Sequence, residues 1–101
     1  MSYNKNPYPF PILLYDSECS LCCRFKIALE KVCHEKISIV SIHEKDIYEL
    51  FPILDPIECS KEIHLIIEEK NILKGNDSIE YIIQLFPAVK KFSWLIESNM
   101  G

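Results

Sequence analysis

Three cysteines fall within five residues of this chain: Cys19, Cys22 and Cys23, in the stretch LLYDSECSLCCRF from Leu13 to Phe25. Two sulfurs separated by two residues suit three roles. They can trade electrons as a dithiol–disulfide pair, form half of a tetrahedral metal site, or sit as small apolar side chains at a helix start. The surrounding pattern bears on the choice. Ile12 to Tyr15 is a short, wholly apolar run that reads as a strand buried on both faces, and Asp16 to Glu18 reads as a polar turn. From Ser20 to about His34 the period turns helical, with Leu21, Phe25, Ala28, Leu29 and Val32 on one stripe and Cys22 and Cys33 beside it.

A CxxC at a strand-to-helix junction has a physical consequence. First-turn amides lack helical partners, and the helix dipole puts partial positive charge at that end. A thiolate at Cys19 is favoured there, which is expected to lower its pKa from about 8.5 towards roughly 3.5–7.5. The spacer carries Cys22 round one turn, within disulfide reach and deeper. Cys19 is therefore expected to attack and Cys22 to resolve, by thiolate exchange that needs no organic cofactor and no metal. Ser20 and Leu21, between the two sulfurs, are the candidate substrate contacts. Asp16 has two readings, closing the turn through backbone amides or moving a proton for the resolving thiol.

The stretch YDSECSLC, Tyr15 to Cys22, resembles the YDxxCxxC signature of the DCC family of thiol-disulfide oxidoreductases, which have a thioredoxin-like fold. The continuation IHLIIEEKNILKGNDSIEYIIQLFP is similar to the strand, hairpin, glycine and helix typical of that family, so the resemblance covers most of Pro11 to Pro87. It implies a disulfide-containing protein or small-thiol substrate and an external thiol reductant. Two positions depart from the family pattern. Ser17 stands where a Gly is usual, and no proline directly precedes the Glu62 strand.

The rest of the chain must supply the scaffold. Pro7, Pro9 and Pro11 give an extended lead-in over residues 1–11, and residues 12–101 read as a single thioredoxin-like domain. Ile37 to Ile42 alternates as a second strand. Glu44 to Phe51 reads as a short helical turn, Pro52 to Lys61 as loop. Glu62 to Glu68 and Asn71 to Lys74 form a hairpin closed by Gly75. Asp77 then reads as an N-cap with Glu80 completing a capping box, ahead of Ile79, Ile82, Ile83 and Phe86 at helical spacing. Pro87 ends that helix, and Ala88 to about Glu97, with Val89, Phe92, Leu95 and Ile96, reads as another amphipathic helix; the stripe Val89–Phe92–Ile96 with Trp94 reads as core, with a dimer face as the alternative. The fold class expected is α/β: a small mixed sheet, βαβ then ββα, flanked by helices, with a right-handed crossover making the first two strands parallel.

Composition narrows the remaining choices. The chain has 101 residues and a formal charge of -4, with scattered lysines and no basic stripe, so nucleic acid is not an expected partner. Only two glycines are present, too few for a phosphate-cradling loop. No apolar run reaches the roughly 18 residues of a membrane span. The opening MSYNKNPYPFPILLYD, with Lys5 as its one cation and no long apolar core, does not read as a signal peptide. The five cysteines are therefore expected in a reducing cytoplasm.

Two rival functions remain: a non-catalytic thioredoxin-like binding module, and a zinc domain. Zinc would recruit Cys19 and Cys22 with Cys33 and His34, or with His43, Cys59 or His64. Cys33 and His34 would lie about 20 Å along the same helix from Cys19, which weighs against sharing an ion. His43 and His64 read as isolated surface or strand-edge histidines. Cys23 and Cys33 read as small buried side chains, and Cys59 as a loop thiol open to solvent.

Overall fold

The computed structural model describes residues 7–34 and 36–95. Four strands form one mixed sheet: β1 (Ile12–Tyr15), β2 (Ser38–Ser41), β3 (His64–Glu68) and β4 (Asn71–Lys74), in the order β2-β1-β3-β4. β1 pairs parallel with β2, from Ile12 opposite Ser38 to Tyr15 opposite Ser41. It pairs antiparallel with β3, and β3 with β4. The wholly apolar run in β1 follows from this central place. Ile12 and Leu14 point into one layer and Leu13 into the other, and all three are completely buried.

One layer is built by α1 (Ser20–Cys33), α4 (Asn76–Leu85) and a closing 3-10 helix (Pro87–Lys91). Phe25, Leu29 and Cys33 of α1 meet Ile79 and Ile82 of α4, with Leu13 and Leu65 of the sheet and Val89 beneath them. The opposite layer holds α2 (Lys45–Leu50) and α3 (Pro56–Lys61), where Ile47, Phe51, Leu54 and Cys59 cover Ile12, Leu14, Val40 and Ile66. The lead-in packs here too: Phe10 meets Phe51 edge-on at 6.1 Å, and Ser38 Oγ donates to the Pro9 carbonyl at 2.7 Å. Helices on both faces of a mixed sheet, with βαβ followed by ββα, give the thioredoxin-like class expected.

Four local expectations need correction. Residues 56–61 are helical, not loop: Asp55 is the N-cap, its Oδ1 accepting the Ile57 amide at 3.0 Å, and Pro56 opens the first turn, where its missing N–H costs nothing. Asp77 is not the N-cap of α4. Gly75 takes that place, at φ 58°, ψ −133°, a backbone region that a Cβ disfavours, and no side chain caps the helix. Beyond Pro87 the backbone tightens into a 3-10 helix rather than continuing as α-helix, and is helical again at Trp94 and Leu95. Val89 is buried there as expected, but Trp94 is largely exposed; Ile96 and Glu97 lie outside the described residues.

Among the described residues, no helix is long and apolar enough to cross a membrane.

Candidate active site

The CxxC lies where β1 hands over to α1. The Asp16 carbonyl accepts the Cys19 amide at 3.1 Å, closing a tight turn after the strand. Cys19 is the N-cap of α1, in extended backbone, and its side chain takes the place of the usual capping oxygen: Sγ accepts the Cys22 amide at 3.3 Å. No acidic residue occupies the first turn of this helix. The positive end of its dipole is thus left to a sulfur.

Cys19 and Cys22 are both half-buried and line one groove of about 140 Å³. Burial, then the neighbouring Cys19 sulfur, push the Cys22 thiol up to about 12, with the Asp16 carboxylate adding to the rise and the Asp16 backbone amide opposing it. Opposite them lies Cys59 with Ser60, Lys61, Glu62 and Ile63, the segment leading from α3 into β3. Ile63 thus stands on the groove wall just before the strand, and the cis peptide of the described residues is elsewhere, at Phe10–Pro11.

Asp16 serves the turn and also faces outward. Its Oδ1 accepts the Glu18 amide at 2.9 Å and meets His43 Nε2 at 2.9 Å. Partial burial pushes this carboxyl up, but the Glu18 amide and His43 together outweigh that and hold it below its ordinary value. His43 is raised, chiefly by the same hydrogen bond, with Glu18 at 3.9 Å adding to it. Donor atoms of Asp16, Glu18 and His43 lie within 4.8 Å of one another, the spacing of a solvent-facing ion pair with a second carboxylate beside it.

The other candidates fall as follows. Ser20 is exposed at the helix start, and Leu21 packs against the core; neither lines the groove. Cys23 is not buried filler but half-buried, its thiol donating to the Ser17 carbonyl at 3.3 Å. Cys59 is a buried helical residue, not an open loop thiol; burial lifts it to about 11, and Tyr48 shares a hydrogen bond with it. Cys33 is buried in the core, as expected, and is raised to about 11 by that burial. His43 is exposed but not isolated. His64 is buried, its Nδ1 donating to the Glu62 carbonyl at 2.9 Å.

Two placements at the groove differ from the sequence reading: His43 pairs with Asp16 instead of standing isolated, and Cys59 lines the groove from a helix instead of an open loop. A signal existed for each. Parallel neighbours in a βαβ unit end side by side, so the turn after β2 must adjoin the turn after β1. Asp55-Pro56 is a helix-start signature that would have carried Cys59 onto a helix against the sheet.

Fold and site together define a thioredoxin-like protein of the thiol-disulfide class. The chain belongs to the DCC1-like thiol-disulfide oxidoreductase family, whose family model matches residues 13–99. No curated protein and no solved structure matches it.

Proposed function

We propose that this protein is a dithiol–disulfide oxidoreductase in which Cys19 attacks and Cys22 resolves. One observation carries the assignment: the Cys19 sulfur caps α1 and accepts the Cys22 amide, while Cys22 sits one turn further in, beside it in the same groove. An amide bond to sulfur strengthens when the sulfur is an anion, so the capping position favours the attacking form. Cys22, with its thiol held up by burial, keeps its proton until Cys19 has reacted.

The exchange balances as follows. Cys19 thiolate attacks one sulfur of a substrate disulfide, forming a mixed disulfide and expelling the other half as a thiolate, which takes a proton from water. Cys22 then loses its proton, attacks the Cys19 sulfur, breaks the bond to substrate and releases the second half. Two electrons have moved from two protein thiols into the substrate, and a Cys19–Cys22 disulfide remains. An external thiol reductant resets it. The substrate is a disulfide-containing protein or the disulfide of a small thiol, and the working compartment is a reducing one, in keeping with the sequence reading. Asp16 holds the turn and sets the field at Cys22.

Trapping tests the assignment. Cys22→Ser should accumulate mixed disulfides at Cys19, recovered under non-reducing conditions and released by reductant. Cys19→Ser should accumulate none. Equal trapping by both variants, or by neither, overturns it.

A further inference from the structure

Before Cys22 can resolve a mixed disulfide its thiol must ionise, and the charges around the groove govern how readily it does. Two parts of Asp16 act on that sulfur in opposite senses. The backbone amide bonds to it and favours its charge, and the carboxylate repels that charge. The carboxylate, however, is paired with His43 Nε2 at 2.9 Å.

The pairing is built by the sheet and not by chance contact of long side chains. Parallel β1 and β2 finish together, with Tyr15 opposite Ser41 and the Ile42 amide donating to the Tyr15 carbonyl at 2.8 Å. Ser41 Oγ then donates to Ser17 Oγ at 2.8 Å and accepts the His43 amide at 3.1 Å. The turn that carries Asp16 is thereby tied to the turn that carries His43 by backbone and short side chains, which hold geometry at little entropic cost.

We propose that His43 is a positioning residue for the resolving step: it holds the Asp16 carboxylate on the β2 side of the site and, when protonated, cancels the negative charge that Cys22 would otherwise face. This rests on the reading of Cys22 as the resolving thiol. The remaining titratable groups do not substitute for it. Glu18 lies 3.9 Å from His43 and is acidic, as is Glu44, the next residue in the chain. Across the groove from Asp16 stand Cys59, Lys61 and Glu62, with Lys61 turned to Glu58 at 3.9 Å. Lys26 pairs with Glu30 and lies over the Tyr15 ring. Among the described residues, His43 is the one basic group at ion-pair distance from Asp16.

The sign of the effect is fixed by charge. With His43 protonated the pair is neutral, and Cys22 ionises against burial alone once Cys19 is in the mixed disulfide. With His43 neutral, the Asp16 charge is bare and ionisation is harder. A rise in pH therefore speeds resolution less steeply through the His43 titration than outside it.

The experiment follows the second chemical step alone. Reduced protein is mixed with dithiobis-nitrobenzoate, a small symmetrical disulfide, quenched with acid at intervals and weighed by mass spectrometry. The Cys19 adduct converts to the Cys19–Cys22 disulfide as Cys22 displaces the nitrobenzoate thiolate, its own proton passing to solvent. The conversion rate is measured from about pH 5 to about pH 9 for the unaltered protein, His43→Asn, Asp16→Asn and the double variant.

His43→Asn should resolve about two- to three-fold more slowly on the acid side of the His43 titration and at the same rate on its alkaline side. In the Asp16→Asn background the same substitution should do nothing. A ratio that is constant across the pH range, or a His43 effect that survives Asp16→Asn, overturns the proposal. An adduct that never converts in the unaltered protein overturns instead the assignment of Cys22 as resolving thiol, so the two failures are distinct. His43 is exposed, and folding of each variant is confirmed by circular dichroism.

Discussion

Cys22 donates its backbone amide to the sulfur of Cys19 at 3.3 Å, so the two ends of the CxxC are joined through the first turn of α1 as well as through the chain. A sulfur acting as helix cap cannot rotate away from the groove without releasing an amide that has no other helical partner. The geometry of the first sulfur is therefore tied to the order of the helix that carries the second.

Alkylation should follow this arrangement. Iodoacetamide near pH 7 should modify Cys19 first, detected by peptide mass spectrometry. Cys33 and Cys59, at about 11, present a thiolate fraction of order one in ten thousand at that pH, and both are buried. They should react only after denaturant is added. Early labelling of Cys59 would contradict its buried place on α3.

The packing of α1 is open to a direct stability test. Phe25 is completely buried and tilts against Phe92 at 5.5 Å. Phe25→Ala should cost about 3–5 kcal/mol in urea unfolding, by transfer and cavity effects together. Ile27, on the same helix but about half exposed, should change stability by no more than about 0.5 kcal/mol when made Ala. Equal costs at the two positions would mean that the helix is rotated from the face described.

The Asp16–His43 pair gives a pH window with a definite sign. Asp16 is lowered below its usual 3.8, so its contribution to stability is present above that value and is lost as pH falls through the folded-state midpoint. His43 is raised above its usual 6.5, so its contribution is present below 6.5 and is lost as pH rises through its folded-state midpoint. The pair stabilises between those limits and is weakened by salt. An NMR titration of the His43 ring should show its midpoint fall towards 6.5 in Asp16→Asn. An unmoved midpoint would break the assignment of this contact as an ion pair.

Gly75 should resist replacement. Its φ of 58° with ψ of −133° is a conformation that side chains disfavour, and its amide donates to the Ile63 carbonyl at 2.8 Å, holding the start of α4 to the segment that lines the groove. Gly75→Ala should lower stability by about 1–3 kcal/mol. A loss no greater than that of an ordinary surface substitution would show that this backbone relaxes without cost.

Local pattern carried much of the architecture. The apolar run Ile12–Tyr15, the stripe through Phe25 and Leu29, the alternation before Ile42 and the hairpin ending at Gly75 were each legible because one short segment holds its own periodicity. Errors came where two local signals competed. The prolines at 52 and 56 point to loop over residues 52–61, although after Asp55 the second of them is a helix opener. Asp77 with Glu80 has the pattern of a cap, although the strand ends so close to the helix that Gly75 takes that place instead. After Pro87, helical spacing of apolar residues did not distinguish a 3-10 helix from an α-helix.

What the sequence alone determined is the pairing of two sulfurs with a strand-to-helix junction, because strand, turn, cap and first helical turn are contiguous in the chain and need no distant partner. What only the tertiary structure decided is the company those sulfurs keep. His43 reaches Asp16 because β2 lies parallel beside β1 and ends level with it, and Cys59 enters the groove because α3 packs over the opposite face of the sheet. Those neighbours are set by pairing and packing between residues 27 and about 40 positions apart, distances along the chain at which no local periodicity speaks.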